Sequence, residues 1–320
     1  AVDLIGDILQ NSTLDQEELD RERAVIIQEI HQSNDTPDDI VFDRFQEAAF
    51  PDQPMGRPIL GTATLIESMT RETIKDFKDT KYSGERIVIA GAGNLDHDRF
   101  VAQAESIFTQ LQARDTHGIE PITYRGGDYR EERDLEQVHL VLGFNGIAHN
   151  DPDYYPLAVL STLLGGGMSS RLFQEVREKR GLVYSIHTFA SSYEDGGLFG
   201  IYAGTGDDQI GNLIPVVCNE VRSVCDSVNE NEVMRARSQL KSSTLMALES
   251  TSSRCEQAAR QLQIYDRAIP NAEVIKKIDA VDAKDVTRVA NRVFESAPTI
   301  AAIGPIENLA DYDLIRNHLD

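Results

Sequence analysis

Between Glu18 and Ser33 the apolar residues fall at Leu19, Val25, Ile26, Ile27 and Ile30, with acids and arginines among them. This spacing predicts an amphipathic helix, opened by the polar run Asn11-Ser12-Thr13 and by Asp15. Ile40, Val41, Phe45, Ala48 and Ala49 form a second stripe and predict a helix over 37–50, followed by a proline- and glycine-dense loop over 51–61. Residues 70–82 predict a helix that runs into a buried strand at 86–95, and 96–111 a further helix with His97 as a surface or capping residue in its first turn. Glycine, proline and charge over 113–135 read as a linker. Beyond it, strands are predicted at 138–144 and 299–303, with an antiparallel pair at 182–189 and 198–203 joined across 194–197. Helices are predicted from 151 to 164 and between the glycine break at Gly165 and a glycine cap at Gly181, and they dominate again from 210 to 294.

The pattern repeats. Ile74, Phe77 and Tyr82 of the helix–strand unit at 70–95 correspond to Val286, Val289 and Phe294 of the unit at 282–304, all at an offset of 212. Leu19-Asp-Arg-Glu-Arg23 is matched by Val233-Met-Arg-Ala-Arg237 at an offset of 214. Two matches at nearly one long offset indicate duplicated domains rather than a solenoid. The expected fold class is α+β: two homologous domains, each a largely antiparallel sheet with helices packed on one face. The boundaries expected are 1–112 for the first domain, 113–135 for the linker and 136–320 for the second. The offset also leads us to expect the first domain to be truncated at its N-terminus, with roughly 75 residues before Ala1.

Glu22 and Glu29 lie seven residues apart, close to two helical turns, so both carboxylates share one face about 10 Å apart along the axis. Such a pair can hold a cation with one member and orient a water or substrate group with the other. A solvated acidic face is the plain alternative. The repeat bears on the choice, because Ala236 and Ser243 occupy the matching positions, so this fold does not require carboxylates there.

Composition adds bounds. With 320 residues, 41% of them hydrophobic, the chain can fill two cores, and no run reaches the 18 apolar residues of a membrane span. The net charge of −22 argues against nucleic acid and anionic membranes and suits basic or extended cationic peptides. Three cysteines, with Cys218 and Cys225 as small buried thiols, favour a reducing, cytoplasm-like compartment.

Four segments in order, Asp20 to Glu29, Gln53 to Gly61, Ile89 to His97 and Gly165 to Tyr184, resemble the pitrilysin/insulinase-type zinc metallopeptidases, specifically the mitochondrial processing peptidase branch and its bacterial relatives. The resemblance implies a zinc-dependent endopeptidase that binds extended peptides between two homologous domains. It implies zinc held by two histidines of an inverted His-x-x-Glu-His motif and by a later glutamate, which by position is Glu29, with Glu22 as an auxiliary acid. It assigns Arg177 and Tyr184, seven residues apart across Gly181, to the substrate backbone and the tetrahedral intermediate. Taken without the family, Arg177 reads as an exposed helix end and Tyr184 as a cross-strand packing aromatic.

No His-x-x-Glu-His occurs: the histidines are 31, 97, 117, 139, 149, 187 and 318. His31 follows Glu29 by two residues and points to a different helix face. The resemblance places the motif some seventy-odd residues before Glu29, upstream of Ala1, so the chain by itself is expected to be inactive and its zinc site incomplete. The rival reading is a non-catalytic peptidase-like partner or scaffold subunit, with a peptide-binding module a distant third. The partners expected are a peptide substrate and a second copy or a peptidase-like subunit. The expected location is a bacterial cytoplasm, with the mitochondrial matrix and the periplasm as alternatives.

Overall fold

The computed structural model describes residues 1–111 and 120–319. Among the described residues six helices come first: α1 (Val2–Asn11), α2 (Gln16–Asn34), α3 (Pro37–Ala49), α4 (Ala63–Ser68), α5 (Arg71–Lys81) and α6 (His97–Ile107). They are followed by β1 (Gly127–Glu132), β2 (Val138–Asn145), α7 (Tyr154–Gly165), β3 (Ser185–Ser192) and β4 (Gly197–Thr205). The rest comprises α8 (Ile210–Asp226), α9 (Glu230–Ala247), α10 (Thr251–Tyr265), α11 (Asn271–Asp279), α12 (Ala283–Phe294), β5 (Thr299–Gly304) and α13 (Tyr312–Leu319). The described chain forms an α+β fold made of two units: Ala1–Gln32, Ile59–Glu120 and Met246–Ala268 form one, and Ser33–Pro58, Pro121–Leu245 and Ile269–Asp320 the other.

The second unit is built on a five-stranded sheet of order β1-β5-β2-β4-β3. All its pairings are antiparallel except β1 with β5. β4 and β5 are buried at every residue, as strands covered on both faces must be. One face packs against Leu157, Leu160 and Leu164 of α7, Leu213 and Val217 of α8, and Val286, Val289 and Val293 of α12. The other face takes Ile40, Val41, Phe45 and Ala49 of α3. Helices therefore lie on both faces here rather than one, because the apolar stripe predicted for 37–50 needs a surface and Val141, Tyr202, Ala301 and Ile303 provide it. Burying each large side chain of that stripe contributes about 1.5–3 kcal/mol. The close approach depends on two glycines paired across β2 and β4: a Cβ on Gly143 would meet the Phe45 ring at 2.2 Å, and one on Gly200 the Phe189 ring at 2.2 Å.

The repeat read from sequence has a side-chain counterpart. α5 is capped by the Thr70 side chain, which accepts from the Thr73 N–H, and α12 by Asp282, which accepts from Asp285. In the first unit Arg23 of α2 donates to the carbonyls of Ile66 (3.1 Å) and Met69 (2.9 Å) at the end of α4. In the second, Arg237 of α9 donates to the carbonyls of Asp279 and Val281, each at 2.9 Å, at the end of α11. Arg23 and Arg237 are 214 apart and Met69 and Val281 are 212 apart, so one arginine clamp occurs twice at the sequence offset. A cation on terminal helix carbonyls satisfies groups that the helix itself leaves open.

The copies differ in packing. Val286 and Val289 are fully buried, whereas Phe77, at the matching place in the first unit, is 57% exposed and rests edge-on against Tyr82. The strand expected at 86–95 is not formed: Gly84–Arg86 makes a 3-10 turn and the chain continues extended without a ladder partner among the described residues. A strand needs a neighbour for its N–H and C=O groups, and no described segment of that unit is a strand. Within the linker expected over 113–135, Gly127–Glu132 forms β1; residues 113–119, with His117, lie outside the described residues.

Candidate active site

α2 carries the first two candidate residues, and its position is set by polar contacts more than by burial, since only Ile30 is buried along it. Asp15 starts the helix: its Oδ1 accepts the N–H groups of Glu17 (2.9 Å) and Glu18 (3.3 Å), satisfying donors that a helix start leaves open. Leu14 precedes it in a left-handed conformation, φ 46°, unusual for a branched side chain. Arg71 holds that bend by donating to the carbonyls of Leu14 (2.8 Å) and Thr13 (3.0 Å), and Arg23 fixes the helix further along. Sequence reasoning assigned no role to either arginine, although Arg23 stood inside the repeated segment that revealed the duplication.

Five carboxylates lie on α2, and three are committed. Glu17 and Glu18 pair with Arg21, while Asp20 pairs with Arg23 and is held below the usual carboxylate range by hydrogen bonds from Arg23 and Gln16. Glu22 and Glu29 are exposed and take no ion pair or hydrogen bond among the described residues. The two acids singled out by their spacing are therefore the two that the helix leaves free. His31 is exposed on the same helix, about 200° around the axis from Glu29.

Arg177 and Tyr184 belong to the second unit. Residues 173–178 form a π-helical turn, with the Lys179 N–H reaching the Gln174 carbonyl at 3.0 Å, five residues back. Such turns are costly and occur often at functional sites. The turn stops at Gly181, φ +62°, where the N–H of Gly181 donates to the Arg177 carbonyl (3.0 Å) and that of Leu182 to the Val176 carbonyl (3.1 Å). Around it the cations are neutralised selectively. Lys179 and Arg180 both pair with Glu175, whose carboxyl they hold below its usual range, and Arg171 pairs with Glu232. Arg177 is exposed, lies 5.0 Å over the Phe173 ring and has no carboxylate partner among the described residues.

Tyr184 stands at the entry to β3, its N–H bonded to the Gly204 carbonyl at 2.9 Å, and is 65% exposed with no ring contact among the described residues. A cross-strand packing aromatic would be buried; this hydroxyl and ring face solvent.

Zinc needs four donors, three of them from protein in a catalytic site. Among the described residues no group of three His, Cys, Asp or Glu side chains is placed to hold a metal ion. Glu22 and Glu29 do not complete a zinc site alone. His139, for one, is a sheet residue: its Nδ1 lies 2.9 Å from the Tyr202 hydroxyl, and burial pushes its pKa down. Cys218 and Cys225 are thiols pushed up by burial, to about 12 and about 11, which disfavours the thiolate that would act as nucleophile or metal ligand.

Comparison with known proteins covers both units. The family profile described as insulinase (peptidase family M16) matches residues 1–63, and that described as the peptidase M16 inactive domain matches 68–240. The chain is 39% identical over 306 residues to an uncharacterized zinc protease of Rickettsia felis, covering 95% of this chain and 74% of that protein. It is 38% identical over 332 residues to the probable mitochondrial-processing peptidase subunit beta of Arabidopsis thaliana, covering 99% of this chain and 62% of that protein. In fold it is similar to a chain of complex III from Candida albicans, with a TM-score of 0.93 at 23% identity, covering 100% of this chain and 79% of that one. Among the described residues no helix is long and apolar enough to cross a membrane.

Proposed function

The chain belongs to the insulinase family of M16 peptidases, and from that premise we propose that it serves a zinc-dependent metalloendopeptidase of the processing-peptidase kind. Its substrates are extended peptides, and its two homologous domains are 1–112 and 136–320, joined through 113–135. The observation that carries the reading is the selective neutralisation of charge: Glu22 and Glu29 are left unpaired on a helix whose other acids are paired, and Arg177 is left unpaired while the nearby cations Arg171, Lys179 and Arg180 are paired. A solvated face would be expected to spend these charges on the local partners beside them.

In this reading Glu29 is the carboxylate ligand of the metal and Glu22 an acid behind it. Arg177 donates to a peptide carbonyl oxygen as negative charge develops on it, and the Tyr184 hydroxyl bonds the substrate backbone. Because the residues present do not complete a metal site, the reading requires a His-x-x-Glu-His pair outside these 320 residues. The 320-residue chain alone is therefore expected to retain far less than one zinc after dialysis and to hydrolyse no peptide, as metal analysis and a peptide assay would show. Near-stoichiometric zinc with hydrolysis would overturn the ligand assignment.

A second reading, a non-catalytic peptidase-like partner subunit, is favoured by one finding, the match of 68–240 to a domain described as inactive. The coding DNA about 80 codons upstream of Ala1, near the roughly 75 residues expected there from the repeat, separates the two. A His-x-x-Glu-His there supports the peptidase; reading frame without it supports the partner. In either case a bacterial cytoplasm is the proposed location, with the mitochondrial matrix and the periplasm as alternatives.

A further inference from the structure

The last turns of α8, α12 and α13 enclose a pocket of about 1020 Å³ within the second unit. That is at the upper end of the roughly 300–1,000 Å³ of small-molecule sites. Val221 and Phe294 give it an apolar part, and Phe294 is held edge-on by Phe144 at 4.8 Å and Phe199 at 5.5 Å. The polar lining comes in two rows. Asn219, Arg222 and Asp226 follow at i, i+3 and i+7 along one face of α8, and Asn291 and Glu295 at i and i+4 at the end of α12. Asn291 ties the two helices together by donating to the Cys225 carbonyl at 2.9 Å.

The fold uses none of the three charged groups. Arg222, Asp226 and Glu295 take no ion pair and no side-chain hydrogen bond among the described residues, although Arg222 and Asp226 stand about one helical turn apart. Charges nearby are committed: Arg292 pairs with Asp151 and Asp153, and Arg171 with Glu232. Two helices also end in the pocket. The last carbonyls of α8 and α12 carry the negative end of each helix dipole, which adds to Asp226 and Glu295 in favouring a cation. Among the described residues no three side chains are placed to hold a metal ion, so the fitting cation is an organic one. Arg222 makes the opposite demand, because a planar guanidinium matches a carboxylate.

We propose that this pocket binds a free basic α-amino acid such as arginine. The charges select it: one cation and two acids in the lining call for a ligand with one carboxylate and two cationic groups. The two rows place it. Arg222 and Asp226 are neighbours on one helix face, about 5–6 Å apart at Cβ, which suits a carboxylate and an ammonium carried on one carbon. Glu295, on the other helix, is left for the side-chain guanidinium, with Phe294 next to it as an aromatic surface. The residues are distinct from Glu22, Glu29, Arg177 and Tyr184, so the site stands whether or not the chain serves an active peptidase.

Isothermal titration of the metal-free 320-residue chain with L-arginine is expected to show saturable binding at one site per chain. Agmatine, which lacks the carboxylate, should bind at least about tenfold more weakly, and so should citrulline, whose side chain is neutral. Glutamate should not compete. Arg222→Gln should weaken arginine by about the same factor yet leave agmatine unchanged, and Glu295→Gln should weaken arginine yet leave citrulline unchanged. Such non-additivity marks a direct contact, which a merely structural role would not produce. Both residues are exposed, so each variant should melt within about 1 °C of the wild type, which keeps a loss of binding from being a loss of fold. No saturable binding of arginine up to about 10 mM, equal affinity for arginine and agmatine, or arginine binding indifferent to both substitutions would each overturn the proposal.

Discussion

Replacing Arg177 with alanine is expected to lower peptide cleavage by about 100- to 1,000-fold, in a form of the protein that carries the His-x-x-Glu-His motif, while leaving its zinc content unchanged. The expectation follows from what surrounds the guanidinium. Lys179 and Arg180 are committed to Glu175 and Arg171 to Glu232, so none of them can replace the donor that Arg177 supplies. Its aliphatic stem contributes little to the fold, because the residue is exposed and its one ring contact is with Phe173 at 5.0 Å. The loss should appear in kcat, since the interaction is made to charge that develops during reaction and not to the resting substrate. Arg177→Lys should recover only part of the rate, because an ammonium lacks the planar fork of the guanidinium. Wild-type cleavage by Arg177→Ala would remove the second unit from the chemistry.

Arg171→Ala is expected to destabilise the second unit by about 2–3 kcal/mol, below the roughly 3–5 kcal/mol for breaking a fully buried charge pair because both partners keep some exposure, with little direct effect on chemistry. Arg171 grips Glu232 with two parallel bonds of 2.9 Å and reaches the Ser227 carbonyl at 3.1 Å, tying the start of the π-turn to α9. The two side chains are only 14% and 21% exposed, so solvent screens the pair weakly. Removing Arg171 leaves a carboxylate in a half-buried site with its main partner gone. The melting temperature should fall by several degrees, and Arg171→Met combined with Glu232→Leu should recover much of the loss. The pH dependence gives an independent check. The hydrogen bond from Arg171 holds the Glu232 carboxyl below its ordinary value, so its contribution is complete above about pH 4.3 and lost as pH falls through the folded value. The wild type should therefore lose more stability on acidification than Arg171→Ala does. A melting shift within about 1 °C would contradict this account of how the turn is held.

The parts of this fold legible in sequence were those set by local pattern. α3, α7, α8 and the β3–β4 hairpin appear where apolar periodicity and turn residues put them, and the Gly181 cap appears where the glycine stood. The offset of 212–214 was legible because Arg23 and Arg237 perform the same task on the same element ends. What pattern could not supply was context. Residues 86–95 have the composition of a strand, but a strand is completed by a neighbour, and none lies among the described residues. β1 was hidden because its charges, which guard an edge, read as loop. The α3 stripe was visible, yet which surface it covers depends on Gly143 and Gly200 admitting two phenylalanine rings, a fact about distant positions. At the candidate site, residue spacing found Glu22 and Glu29, but that their neighbours are paired and they are not is visible only in three dimensions.

The most direct test of the central claim compares zinc content in Glu29→Gln and Glu22→Gln, each in the protein expressed from its complete gene and dialysed against metal-free buffer. Glu29→Gln replaces a proposed ligand by a neutral amide, a poorer zinc donor, and should lose the metal; Glu22→Gln should retain close to one zinc per chain while cleaving more slowly. If Glu29→Gln holds zinc as the wild type does, the ligand assignment is wrong and this face of α2 is an acidic surface.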